Sequence, residues 1–463
     1  MVVLFVTSHS QISTGGDSRV AWELARYAAK YTSHQIYILA PGEVFDLRND
    51  KEVENLEVLT IPSTKMTSSE GVFKVNPSNI SKLIKILNSL NIDIIHAHNF
   101  FPISFIVQSW AVEKNIPFVY TSHVLPTQAL QFQSKDSFKE EILAVQSPIL
   151  TYLKLFHKGC SSIIALNTYA KEDCDKYLKG SGRIDIIPNG CNFKLSNDSS
   201  ITKSPEKSDS HMLFFSGCIS KRKNQIYLVK SLRNITNRKK LKLILAGEYA
   251  DQQETEKIFK EKEQITNANI QLPGFISHEQ ILEYLKQSHF FVSASTMEVQ
   301  SLSVIEALAS GTPVIALKNE TTKELIQNDF NGYLLPKDTS EEDFGETIEK
   351  ALNMEDSEYR RMCLNSIKSV QHLTWENVWK RTEGVYKELI REKRKKKDIN
   401  EKNILKRISS VFNVNKNGEW ESKNKKQNSK ALNYLVLGLL AVVIPVGVSS
   451  FKKHAEKKKV ENG

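Results

Sequence analysis

Short apolar runs recur along the chain, each followed by a polar loop and then by a stretch with helical spacing. The runs lie at residues 2–7, 35–40, 92–96, 118–121, 162–166 and 184–187, and then, after a break, at 212–216, 241–246, 269–272, 290–294 and 314–317. They are too short for helices, and most are too uniformly apolar for strands with one wet face, which predicts strands buried on both sides. Between the first two runs, Val20, Leu24 and Ala28 fall on one face of a helix that begins near Arg19. Strands alternating with helices predict parallel, doubly wound sheets. The break at 196–211 is rich in Ser, Asp, Lys and Pro without a period, so it reads as an exposed linker between two α/β units. Leu373, Trp375, Val378, Trp379, Val385, Tyr386 and Leu389 make the apolar stripe of one last long helix.

Beyond this helix the pattern stops, and charge changes the picture. The chain of 463 residues carries a formal net charge of +10. Residues 391–463 hold 19 basic and 7 acidic side chains, which leaves 44 basic and 46 acidic in the first 390. The body is therefore near neutral, which argues against nucleic-acid binding. The basic tail suits an anionic bilayer surface. Within it, residues 431–451 carry no charge, and 21 residues of helix span ~30 Å, about a bilayer core. Lysines flank that segment on both sides, so it reads as a single-pass membrane helix with Pro445 inside it. Residues 1–8 lack a basic lead and a long apolar run, and read as a first strand instead of a signal peptide. Five dispersed cysteines fit a reducing compartment and no structural zinc.

Candidate chemistry gathers where strands end. Glu298 lies in the loop after the 290–294 run, and Glu306 follows it eight residues later on the next helix. That helix begins near Ser301, Leu302 and Ser303, and its free amides would suit a diphosphate. It stops at Gly311, with Pro313 opening the next strand. Gly15 and Gly16 follow the first strand and permit close approach of a phosphate. They do not form G-x-G-x-x-G, which disfavours a nicotinamide site. Ser216-Gly-Cys-Ile-Ser-Lys-Arg-Lys-Asn224 puts Lys221, Arg222 and Lys223 after the 212–216 strand. His123 ends the 118–121 run; His96 and His98 end another and read as structural or edge residues without metal partners. Asp173-Cys-Asp175 lies in a charged helical stretch and reads as a solvated face, not a metal site. No Ser-His-Asp or Cys-His arrangement has a supporting motif.

The Glu298–Glu306 pair, set before Ala-Ser-Gly-Thr-Pro, resembles the E-x7-E signature of retaining family 4 glycosyltransferases with the GT-B fold. The resemblance spans residues 1–390 and is densest at 216–336. It implies two Rossmann-like domains facing a cleft: 1–195 for the acceptor and 212–372 for the nucleotide sugar. Residues 196–211 would link them, a closing helix at 373–392 would pack on the first domain, and 393–430, 431–451 and 452–463 would be a basic linker, a membrane segment and a Lys-rich tail. It further implies a nucleoside-diphosphate sugar as donor, without a required cofactor or metal. Glu298 and His123 would contact the transferred sugar. Glu306 would bind the ribose, and Gly15, Gly16, Arg222, Lys223, Ser301, Leu302 and Ser303 the rest of the donor. Two positions depart from the family pattern: Cys218 stands where an Arg is usual, and Asn192 where an Asp is usual.

The phrases Thr121-Ser-His-Val-Leu-Pro-Thr-Gln128 and Met297-Glu-Val-Gln-Ser-Leu302 are most similar to the diacylglycerol glucosyltransferase branch. The expected activity is hexose transfer to a membrane lipid, with the body cytoplasmic. Transfer to a polyprenyl-linked or surface glycan is the alternative within the class. An inactive nucleotide-sugar scaffold, suggested by Cys218, is the alternative outside it. Apolar stretches at 80–90 and 148–156 read as core or as lipid-facing.

Overall fold

The computed structural model describes residues 1–9, 16–65, 71–131, 148–178, 182–192, 204–236 and 240–395. These form two compact units. One is Met1–Gly190 together with the helix Trp375–Lys395; the other is Cys191–Thr374.

The first unit is built on a nine-stranded sheet. Its strands are β1 (Val2–Val6), β2 (Gln35–Gly42), β3 (Asp46–Asn49), β4 (Leu56–Lys65), β5 (Gly71–Phe73), β6 (Ile94–Ala97), β7 (Phe118–Ser122), β8 (Ser162–Ala165) and β9 (Ile184–Ile186). Their order is β3-β4-β2-β1-β6-β7-β8-β9, with β5 on β4. All pairs are parallel except β3–β4 and β4–β5. Val3 to Val6 are fully buried, as a central parallel strand requires. Helices 77–89 and 148–158 send Ile80, Leu83, Leu87, Leu150, Tyr152, Leu153 and Phe156 into the same core, so both stretches are packed in large part. Leu155 is the exception, 46% exposed. Helix Trp375–Lys395 closes this unit. Its Glu383 pairs with His34 (2.7 Å), its Glu388 with Arg183 (2.7 Å), and Arg381 donates to the Ile186 carbonyl.

The second unit has six parallel strands: β10 (Ser210–Ser216), β11 (Lys240–Ala246), β12 (Ala268–Gly274), β13 (Phe290–Ser293), β14 (Val314–Leu317) and β15 (Gly332–Leu335). Their order is β12-β11-β10-β13-β14-β15. The chain therefore reverses direction across the sheet between β10 and β13, and in the first unit between β1 and β6. Ligands of open α/β sheets sit outside the carboxyl ends of strands at such reversals.

The structure departs from the pattern of the sequence in three places. Residues 204–211 are exposed only in part: Glu206, Lys207, Asp209 and Ser210 are exposed, whereas Ser204 and His211 are buried, and His211 Nε2 bonds the Pro205 carbonyl at 2.9 Å. Second, β3, β4, β5 and β15 are strands that the apolar runs do not foreshadow. Third, Asp173 is not on a solvated face. It is buried and accepts from the backbone N (3.1 Å) and Oγ1 (2.9 Å) of Thr127, which ties two helices together. The 431–451 segment and the rest of the tail beyond Lys395 lie outside the described residues. Among the described residues, no helix is long and apolar enough to cross a membrane.

Candidate active site

At the reversal of the second sheet, the loop after β10 meets the loop after β13. Gly247 makes the first turn possible: a Cβ there would come within 2.0 Å of the Gly217 carbonyl oxygen, so only glycine lets these backbones touch. The Gly217 amide donates to the Ala246 carbonyl and the Ile219 amide to that of Glu248, so β11 holds the loop down. The loop then delivers two cations to one carboxylate. Lys223 Nζ lies 2.5 Å from Glu298 Oε1, and Arg222 Nη1 lies 3.0 Å from Oε2. Arg222 Nη1 also donates to the Met297 carbonyl (2.8 Å), while the Thr296 amide donates to the Arg222 carbonyl. Lys221, in contrast, is exposed.

Glu298 is 9% exposed. Burial by itself would raise its pKa; Lys223 and then Arg222 outweigh burial and bring it down to about 2. Glu298 is thus a carboxylate throughout the physiological range, able to accept hydrogen bonds but not to donate a proton. Cys218, at the position of the missing Arg, is half-buried and packs beside Gln225, whose Nε2 donates to its carbonyl (2.8 Å). Arg222 supplies the guanidinium in this loop.

Helix Leu302–Ala309 starts at the same edge. Ser301 is its N-cap, with Oγ accepting from the Val304 amide. Ser303 Oγ donates to the Ser216 carbonyl (2.9 Å), pinning the helix to the end of β10. Both hydroxyls are therefore engaged, and the amides of Leu302 and Ser303 are the first-turn donors without an intrahelical acceptor. The helix ends at Gly311, whose φ of +69° gives the left-handed stop. Glu306 is buried on this helix and meets His278 Nε2 at 2.9 Å. His278 was not legible as a site residue, because nothing in its own neighbourhood points to a carboxylate 28 positions away. Its one local signal is the capping box of Ser277 and Gln280, which fixes the start of helix 278–287.

The corresponding edge of the first sheet carries histidines. His9 follows β1, His98 follows β6 and His123 follows β7. His98 Nδ1 is 3.0 Å from His123 Nε2, and their rings stack at 5.3 Å. His96 is held on both sides, Nδ1 by the Tyr386 hydroxyl (2.6 Å) and Nε2 by Thr121 Oγ1 (2.7 Å). Burial, with His123 adding to it, pushes His96 down to about 3. Burial and the neighbouring imidazoles hold His98 well below the usual range. Gly16 opens the helix Gly16–Tyr31, while Gly15 lies outside the described residues. Among the described residues, no group of three or more His, Cys, Asp or Glu side chains is arranged to hold a metal ion.

Two adjoining family models match the chain: Glycosyltransferase Family 4 over residues 14–195 and Glycosyl transferases group 1 over 196–369. The chain belongs to family 4 of the glycosyltransferases and has their GT-B fold; it is an enzyme of that class. Among its relatives is the alpha-monoglucosyldiacylglycerol synthase of Acholeplasma laidlawii, 24% identical over 317 residues, which span 66% of this chain and 77% of that one. The solved sucrose-phosphate synthase of Thermosynechococcus elongatus shares the fold with a TM-score of 0.66 at 16% identity, over 84% of this chain and 99% of that one. The Anabaena protein HepE, solved with UDP and glucose, does so with a TM-score of 0.61 at 16% identity, over 84% and 100%.

Proposed function

We propose that this enzyme transfers a hexose, most simply glucose, from a uridine-diphosphate sugar to a membrane lipid such as diacylglycerol, with retention of configuration. The observation that carries the donor half is the pairing of Arg222 and Lys223 with Glu298 beside the start of helix 302–309. Two cations and free first-turn amides at the reversal of a parallel sheet suit a diphosphate. The UDP in the Anabaena structure supports the nucleotide.

In this reading the bond from the sugar C1 to the phosphate oxygen breaks, and a bond from C1 to the acceptor oxygen forms on the same face. The acceptor proton passes to the departing phosphate oxygen. Lys223, Arg222 and the amides of Leu302 and Ser303 stabilise the charge that develops on the diphosphate. Glu298, already ionised, accepts from sugar hydroxyls and gives up part of its hold on the cations as the diphosphate arrives. Glu306 receives the ribose hydroxyls, and His123 bonds the transferred sugar. UDP-glucose holds its glucose in α linkage, so retention yields an α-glucoside. This agrees with the product named for the Acholeplasma relative.

The lipid acceptor rests on that relative and on the composition of the tail: a net +12 over residues 391–463 and an uncharged 431–451. In this reading the tail anchors the enzyme to an anionic bilayer, with 431–451 spanning it. The test is turnover of UDP-glucose by the full chain with diacylglycerol in anionic mixed micelles, beside Glu298→Ala. Glycolipid from the wild type at a rate at least ~100-fold above the variant is the expected result. Equal rates would sink the assignment of Glu298. Product with a polyprenyl-phosphate sugar and none with diacylglycerol would replace the acceptor.

A further inference from the structure

His98 has no part in the donor chemistry proposed above, yet its surroundings are closely specified. Its ring lies 4.3 Å from that of His96 and 5.9 Å from that of Phe5. His96 cannot turn, since Tyr386 and Thr121 hold its two nitrogens. His98 is 2% exposed, and among the described residues its Nε2 has no hydrogen-bond partner. Among the described residues the one hydrogen bond of its side chain is Nδ1 to His123 Nε2 at 3.0 Å.

These facts fix a tautomer. Burial among neighbouring imidazoles keeps His98 uncharged at neutral pH, so it carries one N–H. A buried N–H without an acceptor costs more than a buried lone pair without a donor. The proton therefore belongs on Nδ1, where it meets His123, and the orphaned Nε2 stays bare. His123 Nε2 must then accept, and a neutral His123 must carry its own proton on Nδ1.

We infer that His98 is a positioning residue. It donates from Nδ1 to His123 Nε2, selects the Nδ1–H tautomer of His123 and fixes its ring, so that His123 is presented as a hydrogen-bond donor. The use of that donor on the transferred sugar rests on the role proposed for His123 above; the tautomer selection does not. His98 touches no substrate and acts through His123.

Two measurements on the full chain in detergent test this. The first is a correlation spectrum of protein labelled with 15N-histidine. The expected result is a protonated Nδ1 and a bare Nε2 on His98, with the Nδ1–H signal shifting in His123→Ala. The opposite tautomer, or a His98 signal indifferent to His123→Ala, overturns the inference whether or not any substrate is turned over. The second is transfer from UDP-glucose to diacylglycerol micelles by His98→Asn and His98→Gln. The Asn amide places an N–H near the original Nδ1 and the Gln amide near Nε2. Thus His98→Asn should keep kcat within about threefold, while His98→Gln loses about 10- to 100-fold. In a His123→Ala background His98→Gln should cost nothing further. An equal further loss there, or Asn failing as badly as Gln, overturns it. Full activity in His123→Ala would instead remove the role of His123 and leave the spectrum to decide the tautomer.

Discussion

The carboxyl edges of the two sheets are built from the same architecture and finished with opposite chemistry. In the second unit the loops after β10 and β13 bring Arg222, Lys223 and Glu298 together as ions, and the pairing lowers the Glu298 pKa to about 2. In the first unit the ends of β6 and β7 bring together His96 and His98, which burial keeps neutral, and His123, joined by hydrogen bonds to Tyr386, to Thr121 and to one another. A parallel sheet provides a place where side chains converge, and the residues placed there decide what can bind. An ionic edge suits a ligand that arrives and leaves charged. A neutral, locked edge suits orienting a hydroxyl without attracting phosphate.

Acid separates the two edges most strongly. For His96 and His157, with folded pKa values of about 3, the neutral form is the one the fold requires. Their contribution is complete above the unfolded histidine pKa of about 6.5. It then falls by about 1.4 kcal/mol per pH unit for each residue as the unfolded chain takes up protons. At pH 5 the pair alone removes roughly 4 kcal/mol from the first unit, and His98 adds to the loss. Glu298 shifts the other way. Its depressed pKa gives stability that is complete above about 4.5 and is lost only as pH falls toward 2, at most about 3 kcal/mol. Hydrogen exchange read by mass spectrometry at pH 7 and pH 5 should show β1, β6 and β7 losing protection while β10 and β13 keep theirs. Equal loss in both units would break the comparison.

The ionic edge is tested by charge removal at two neighbouring lysines. Lys223 reaches Glu298, and Lys221 points to solvent. Lys223→Ala should reduce turnover of UDP-glucose by about 10²–10³-fold, the usual cost of one donor to a developing oxyanion. Lys221→Ala should stay within about twofold, as an exposed cation with no fixed partner would. Calorimetric binding of UDP should follow the same order. Equal effects would mean that the edge attracts the donor as a diffuse positive field, not through a placed contact.

This contrast also marks what could be read from the chain. β1, β10, β13 and β14 were legible because both their faces are buried, which leaves an unbroken apolar run. β3 is Asp-Leu-Arg-Asn, fully exposed, and pairs antiparallel at the sheet edge, so it carries no such signal. β15 has only four residues, the first of them glycine. Arg222, Lys223 and Glu298 were named because the motifs around them resemble those of family 4 glycosyltransferases. Their meeting point, across 75 positions, is a product of the β10–β13 pairing, and sequence spacing does not encode it. His278 on Glu306 and Thr127 on Asp173 are contacts of the same long-range kind. Asp173 was misread because a helix in isolation cannot show what packs over it.

The smallest effect lies at the far end of the histidine cluster. Tyr386 reaches His96 from the helix Trp375–Lys395, and both side chains are buried. Burial raises the phenol pKa and lowers that of the imidazole, so the bond joins two neutral groups over the whole working range. A neutral bond contributes about 1 kcal/mol net, and Tyr386→Phe keeps the ring while leaving one buried nitrogen unpaired, so the cost should be about 1–2 kcal/mol. Denaturant unfolding would read it. Thr121→Val should cost a similar amount, and because both bonds hold one ring the two substitutions should fail to add. Strict additivity would mean that His96 is fixed by packing against Phe5 and His98, with its two hydrogen bonds acting separately. A neutral edge of that kind would keep its geometry without the closing helix, and Tyr386→Phe would leave the His98–His123 bond unchanged.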